Sequence, residues 1–176
     1  MSKPRLPRNT ESLLLCLLVA SAPAFALKSD REQPMQVGAD AASSSVESGV
    51  TVLTGNVKID QGTLSIRADR GEVEQKNEDV HRVILDGAPA LLQQDIEGQG
   101  LLKAQAKRIE YLLADNRVVM TGGVRIERPR GVMTGERVVY HLDSGEMEAG
   151  EPGGRINMTI APKPKAAAAA TDAPKS

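Results

Sequence analysis

One phrase recurs along this chain and limits what it can fold into. It reads Leu53-Thr54-Gly55-Asn56-Val57-Lys58-Ile59 and returns as Met120-Thr121-Gly122-Gly123-Val124-Arg125-Ile126. A looser copy, Leu85-Asp86-Gly87-Ala88-Pro89-Ala90-Leu91, lies between them, its glycine 32 residues after Gly55 and 35 before Gly122. Each copy is a strand, a glycine and another strand. Glycine permits a bend or bulge that a side chain would obstruct, so the phrase encodes a strand bent at a fixed place. A weaker echo follows each copy, at Ala68-Asp69-Arg70-Gly71-Glu72-Val73, Ala106-Lys107-Arg108-Ile109-Glu110-Tyr111 and Gly135-Glu136-Arg137-Val138-Val139-Tyr140. Self-similarity at such a period is the signature of stacked supersecondary units. The expectation is an all-β chain of stacked, bent antiparallel strands.

Alternation fills in the strands. A short edge strand opens at Pro34, with Met35, Val37 and Ala39 at every second place. The serine-rich stretch from Ala41 to Gly49 reads as turn. Leu64, Ile66 and Ala68 share one face while Ser65, Arg67 and Asp69 share the other, a period of two that buries one side and wets the other. Pro89 points to a sheet edge or a bulge. Gly98-Gln99-Gly100 reads as a hairpin, since it lacks the third glycine and the Lys-Ser or Lys-Thr of a phosphate loop. Residues 101–114 contain good helix formers, but their echo in Arg137-Val138-Val139-Tyr140 favours strand, with a register change near Arg108. Glu146-Met147-Glu148 reads as short and exposed. Ile156, Met158 and Ile160 alternate in the last strand.

The first 26 residues have the layout of a secretory signal: Lys3, Arg5 and Arg8, an apolar run from Leu13 to Ala20, then Ala24-Phe25-Ala26. The run is far short of the ~20 residues that span a bilayer. Leu14 and Leu15 before Cys16 are not the small residues of a lipobox. The sequence therefore predicts export and cleavage after Ala26, a flexible start at 27–33, one domain at 34–161, and a low-complexity tail at 162–176. The chain left after cleavage has no cysteine and two aromatic residues, Tyr111 and Tyr140, so its stability rests on aliphatic packing and the backbone ladder. Its 19 basic and 22 acidic residues are interspersed, which is not a nucleic-acid footprint.

No catalytic motif appears. His81 and His141 lack nearby ligand partners, so neither a metal site nor a cofactor is expected. Glu72, Glu74, Asp86 and Glu110 alternate with apolar residues, as solvated strand faces do. Convergence of residues from different strands is not visible in one sequence.

Certain phrases in order carry a resemblance. Gln33-Pro34-Met35-Gln36-Val37 with Asp40, Thr54-Gly55-Asn56-Val57, Gln61-Gly62-Thr63-Leu64 with Ala68-Asp69, Asp86-Gly87, Pro89-Ala90, Thr121-Gly122, and Arg155-Ile156 through Pro162 resemble the OstA-like family. The resemblance covers nearly all of residues 33–162. It implies an open β-jellyroll in the periplasm that shields lipid A acyl chains of lipopolysaccharide and enzymatically does nothing. It also implies head-to-tail self-association linking an LptC-like inner-membrane partner to an LptD-like outer-membrane translocon. Exposing one 12-carbon chain to water costs on the order of 10 kcal/mol, so such a lipid needs a carrier.

On this basis Met35, Val37, Val57, Ile59, Leu64, Ile66, Leu92, Ile109, Tyr111, Leu113 and Ile126 are expected to line a lipid groove, with plain core as the rival reading of each. Met35, Val37 and Ala39 at one end, and Ile156, Met158 and Ile160 at the other, are expected to form the oligomer strands. Two other classes stay open: an envelope adaptor domain that carries no lipid, and a small β-fold enzyme acting on envelope glycans.

Overall fold

The computed structural model describes residues 30–77, 79–150 and 154–162. The expected signal peptide with its cleavage site, and most of the expected tail, lie outside the described residues. A short 3-10 turn at Asp30–Glu32 leads into ten antiparallel strands: β1 Gln36–Gly38, β2 Ala41–Ser45, β3 Val50–Gln61, β4 Leu64–Lys76, β5 Asp79–Ile96, β6 Gly100–Leu112, β7 Arg117–Arg128, β8 Gly131–His141, β9 Met147–Ala149 and β10 Asn157–Ile160. The long strands β3 to β8 pair in sequence order as a meander. β1 and β2 share the outer edge of β3, and β9 and β10 share that of β8, so the sheet is open.

The repeated phrase is where this sheet folds over. Register shifts fall between Thr54 and Val57, Arg67 and Arg70, Asp86 and Ala90, Gln105 and Arg108, and Thr121 and Val124. The glycine phrases and their echoes thus line up on neighbouring strands at one level. Gly55 takes φ +76°, a left-handed conformation that a β-branched residue would not tolerate. Pro89 stands inside the β5 bulge, where no ladder donor is needed. Across this crease the two halves of each strand become facing layers. The first layer holds β1, the second half of β3, the first half of β4 and their continuations to β10. The second holds β2, the first half of β3 and its continuations to β9.

Alternation then puts one apolar set between the layers. Leu53, Val57, Ile59, Leu64, Ile66, Val83, Leu85, Leu92, Leu102, Ile109, Met120, Val124, Ile126 and Val138 are all buried in one cluster. The register change expected near Arg108 is present, and residues 101–112 are strand rather than helix.

Two local readings need correction. Ala41 to Ser45, expected as turn, is β2. Alanine and serine carry no burial pattern, and every residue of β2 is exposed. What holds it is main-chain pairing to β3 over Ala41–Thr54 through Ser45–Val50. Around Met147, expected as simply exposed, β9 pairs with β8, and Met147 packs half-buried against the core.

Candidate functional site

Hairpin tips of the two layers meet at the side opposite the crease. On the first layer these tips are at Gly62-Thr63, residues 97–99 and Pro129-Arg130; on the second they include residues 113–116 and 142–146. The two tyrosines bridge this mouth. The Tyr140 hydroxyl, on the second layer, donates to Gln94 Oε1 on the first at 2.7 Å. The Tyr111 hydroxyl lies 3.0 Å from Gln61 Oε1 and 3.3 Å from Asn116 Oδ1. Asn116 in turn donates to Asp143. Burial raises the Tyr140 pKa, with Arg128 opposing the shift, so the hydroxyl stays protonated and able to donate. The N-terminal turn is fastened to the same rim: Gln94 Nε2 and Thr63 Oγ1 both donate to Asp30 Oδ2 at 2.8 Å.

Inside, strand pairing assembles a row that no single segment of sequence displays. Val37 pairs with Ile59, Ile59 with Ile66, Ile66 with Leu92, Leu92 with Ala104, Ala104 with Ile126, Ile126 with Met133 and Met133 with Met158. Directly paired residues project on the same face of a sheet, so this is one apolar stripe across the first layer, from edge to edge. Its middle is sealed, with Ile66 and Leu92 at 0 % exposure, while its ends emerge, with Val37 at 45 % and Met158 at 62 %. Beside the Met158 end, a cavity of about 410 Å³ is lined by Ile126, Met133, Met147, Met158 and Ile160 together with Arg128 and Arg130.

The residues expected to line a groove fall into three groups. Val57, Ile59, Leu64, Ile66, Leu92, Ile109, Tyr111 and Ile126 are brought together between the layers, each at most 2 % exposed. Met35 and Leu113 are partly buried against them. Val37 lies on the N-terminal edge with the exposed Ala39, whereas Ile156, Met158 and Ile160 lie exposed at the C-terminal edge. The sequence reading missed Ala104 and Met133, which complete the stripe, and the Gln61 and Gln94 partners of the tyrosines. A signal existed for the latter: each glutamine stands near the end of a strand just before a turn, and each tyrosine closes an echo phrase.

The carboxylates do not converge. Glu72, Glu74 and Asp86 pair with Arg70, Arg82 and Arg108 on the outer face of the second layer, with Glu110 at 4.0 Å from Arg82. These contacts hold the Glu74 carboxyl below its usual range and raise the Arg82 and Arg108 guanidinium pKa values. His81 is exposed, and His141 lies 3.3 Å from Glu148. Among the described residues no group of three or more His, Cys, Asp or Glu is placed to hold a metal ion.

An open, creased sheet with an apolar interior is the architecture of a known family. Residues 36–146 match the family model described as LptA/(LptD N-terminal domain) LPS transport protein. The chain belongs to this family. Within this LPS transport family, the chain is 34 % identical over 170 residues to the lipopolysaccharide export system protein LptH of Pseudomonas aeruginosa, covering 90 % of this chain and 97 % of that one. It is 30 % identical over 149 residues to LptA of Escherichia coli K12, covering 83 % and 80 %. The crystal structure of LptH, described as the LptA-homologous periplasmic component of the lipopolysaccharide transport device, superposes with a TM-score of 0.71 at 30 % identity. That match covers 77 % of this chain and 100 % of LptH.

Proposed function

We propose that this chain is a periplasmic carrier that shelters the acyl chains of lipopolysaccharide along its inner apolar stripe and bridges inner-membrane and outer-membrane transport complexes. The observation that carries this reading is the stripe from Val37 to Met158, sealed in the middle and open at both edges. A plain core has no reason to surface at both ends of a sheet, since each exposed apolar side chain there forfeits its burial. With the interior filled, acyl chains enter by spreading the layers, and the crease opposite the mouth is the natural hinge. Purified protein, without its signal, is expected to capture lipopolysaccharide from solution; failure to bind would favour an adaptor that carries no lipid.

Assembly follows from the edges. β1 offers a free backbone edge beside β3, and β10 offers one beside β8, both on the first layer. Unpaired donors and acceptors on such strands invite strand addition. Pairing of Asn157–Ile160 with Gln36–Gly38 of the next copy would join the stripes end to end. The same edges suit an LptC-like partner at one end and an LptD-like translocon at the other. Deleting residue 155 onward removes a strand that among the described residues pairs only with β8, and is expected to leave a folded monomer; unchanged oligomers in light scattering would refute the pairing.

A further inference from the structure

The C-terminal cavity is apolar on most of its walls and cationic on one. Strand alternation explains the position of the charge. Ile126 points inward at 2 % exposure, so Arg128, two residues on in β7, points inward as well. Its Nη2 donates across the mouth to the Gly145 carbonyl at 3.3 Å. Its Nε is buried without a hydrogen-bond partner. Arg130, exposed on the β7–β8 turn, lines the same cavity.

Among the described residues neither arginine has an ion-pair partner, unlike Arg70, Arg82, Arg108, Arg117 and Arg125; Arg67, Arg137 and Arg155 are unpaired as well but do not line the cavity. Among the described residues no acidic side chain lines the cavity. The cavity is thus complementary to an amphiphile: apolar chain against Met133, Met158 and Ile160, anion against the two arginines.

We infer that Arg128 and Arg130 bind a phosphate of an acylated lipid whose chain occupies the adjoining apolar cavity, making the C-terminal end of the stripe a headgroup-reading station. Two guanidinium forks suit a phosphate with several acceptor oxygens. The inference rests on the proposed lipopolysaccharide-carrier role and adds where, and by which groups, the headgroup is recognised.

The test compares binding of lipid A carrying its phosphates with binding of chemically dephosphorylated lipid A, using the full mature chain and the variants Arg130→Gln, Arg128→Gln and the double variant. Expected is a wild-type preference for the phosphorylated lipid, about tenfold weaker binding of it by each variant, and unchanged binding of the dephosphorylated lipid. Arg130→Gln changes an exposed turn residue, so its result stands even if Arg128→Gln lowers the melting temperature. Lysine at both positions is expected to restore part of the preference by keeping the charge. Inorganic phosphate at millimolar concentration is expected not to compete, since it lacks the chain.

Equal wild-type affinity for the two lipids, or variants that lose both alike, would overturn the inference while leaving the carrier role standing. Wild-type protein that binds neither would overturn both.

Discussion

Tyr140 is the residue at which burial, hydrogen bonding and charge meet. Its ring is 1 % exposed and its hydroxyl supplies the bond that ties the second layer to Gln94 on the first. Tyr140→Phe keeps the ring and leaves Gln94 Oε1 short of its donor. A loss of about 1–3 kcal/mol is expected in denaturant unfolding, the usual cost of an unsatisfied buried acceptor. The pH dependence has a definite sign. Because the folded-state pKa is raised, this contribution is complete below the ordinary tyrosine value near 10 and fades as pH rises through the raised value. The stability gap between wild type and Tyr140→Phe should therefore be constant at neutral pH and shrink above about pH 10; a gap that widens with pH would contradict the assignment. Sequence showed that two tyrosines were all the aromatic bulk available. It did not show what they touched, because Gln61 and Gln94 are separated from their tyrosines by 50 and 46 positions.

Among the elements, β5 shows best what was legible. The loosest copy of the phrase, at Gly87, still marks a register shift aligned with those of its neighbours, since a bulge depends on backbone geometry more than on flanking identity. A Cβ on Gly87 would lie 2.6 Å from the Ala90 amide nitrogen, against backbone that cannot swing aside. Gly87→Ala is expected to cost about 1–3 kcal/mol through overpacking. Gly98→Ala serves as the contrast: its φ is +70° but the space around it is open, and about 1–2 kcal/mol of left-handed strain is the whole expected penalty. Chemical-denaturation curves for the pair check this, and an innocuous Gly87→Ala would remove the packing argument for the crease. β2 was illegible for the opposite reason. Its alanines and serines bury nothing, and only the β3 ladder makes it a strand.

For the molecule as a whole, the consequential property is the edge-to-edge stripe. Periodicity put Val37, Ile66 and Met158 on alternating faces one strand at a time, and the family resemblance implied an interior that shields acyl chains. Their alignment depended on five register shifts falling at one level, a relation between strands rather than within any of them. The same alignment leaves the outer face to ion pairs such as Arg108–Asp86, which keep charge away from the interior. Photo-crosslinking tests the stripe most directly. A diazirine amino acid is placed singly at Val37, Leu92 and Met158 on the stripe, and at Gln93 and Lys103 on the exposed opposite face of β5 and β6. Irradiation with lipopolysaccharide should give adducts at the three stripe positions and none at the two controls. Adducts at the controls alone, or none at Leu92 while both ends react, would contradict a continuous lipid path through the fold.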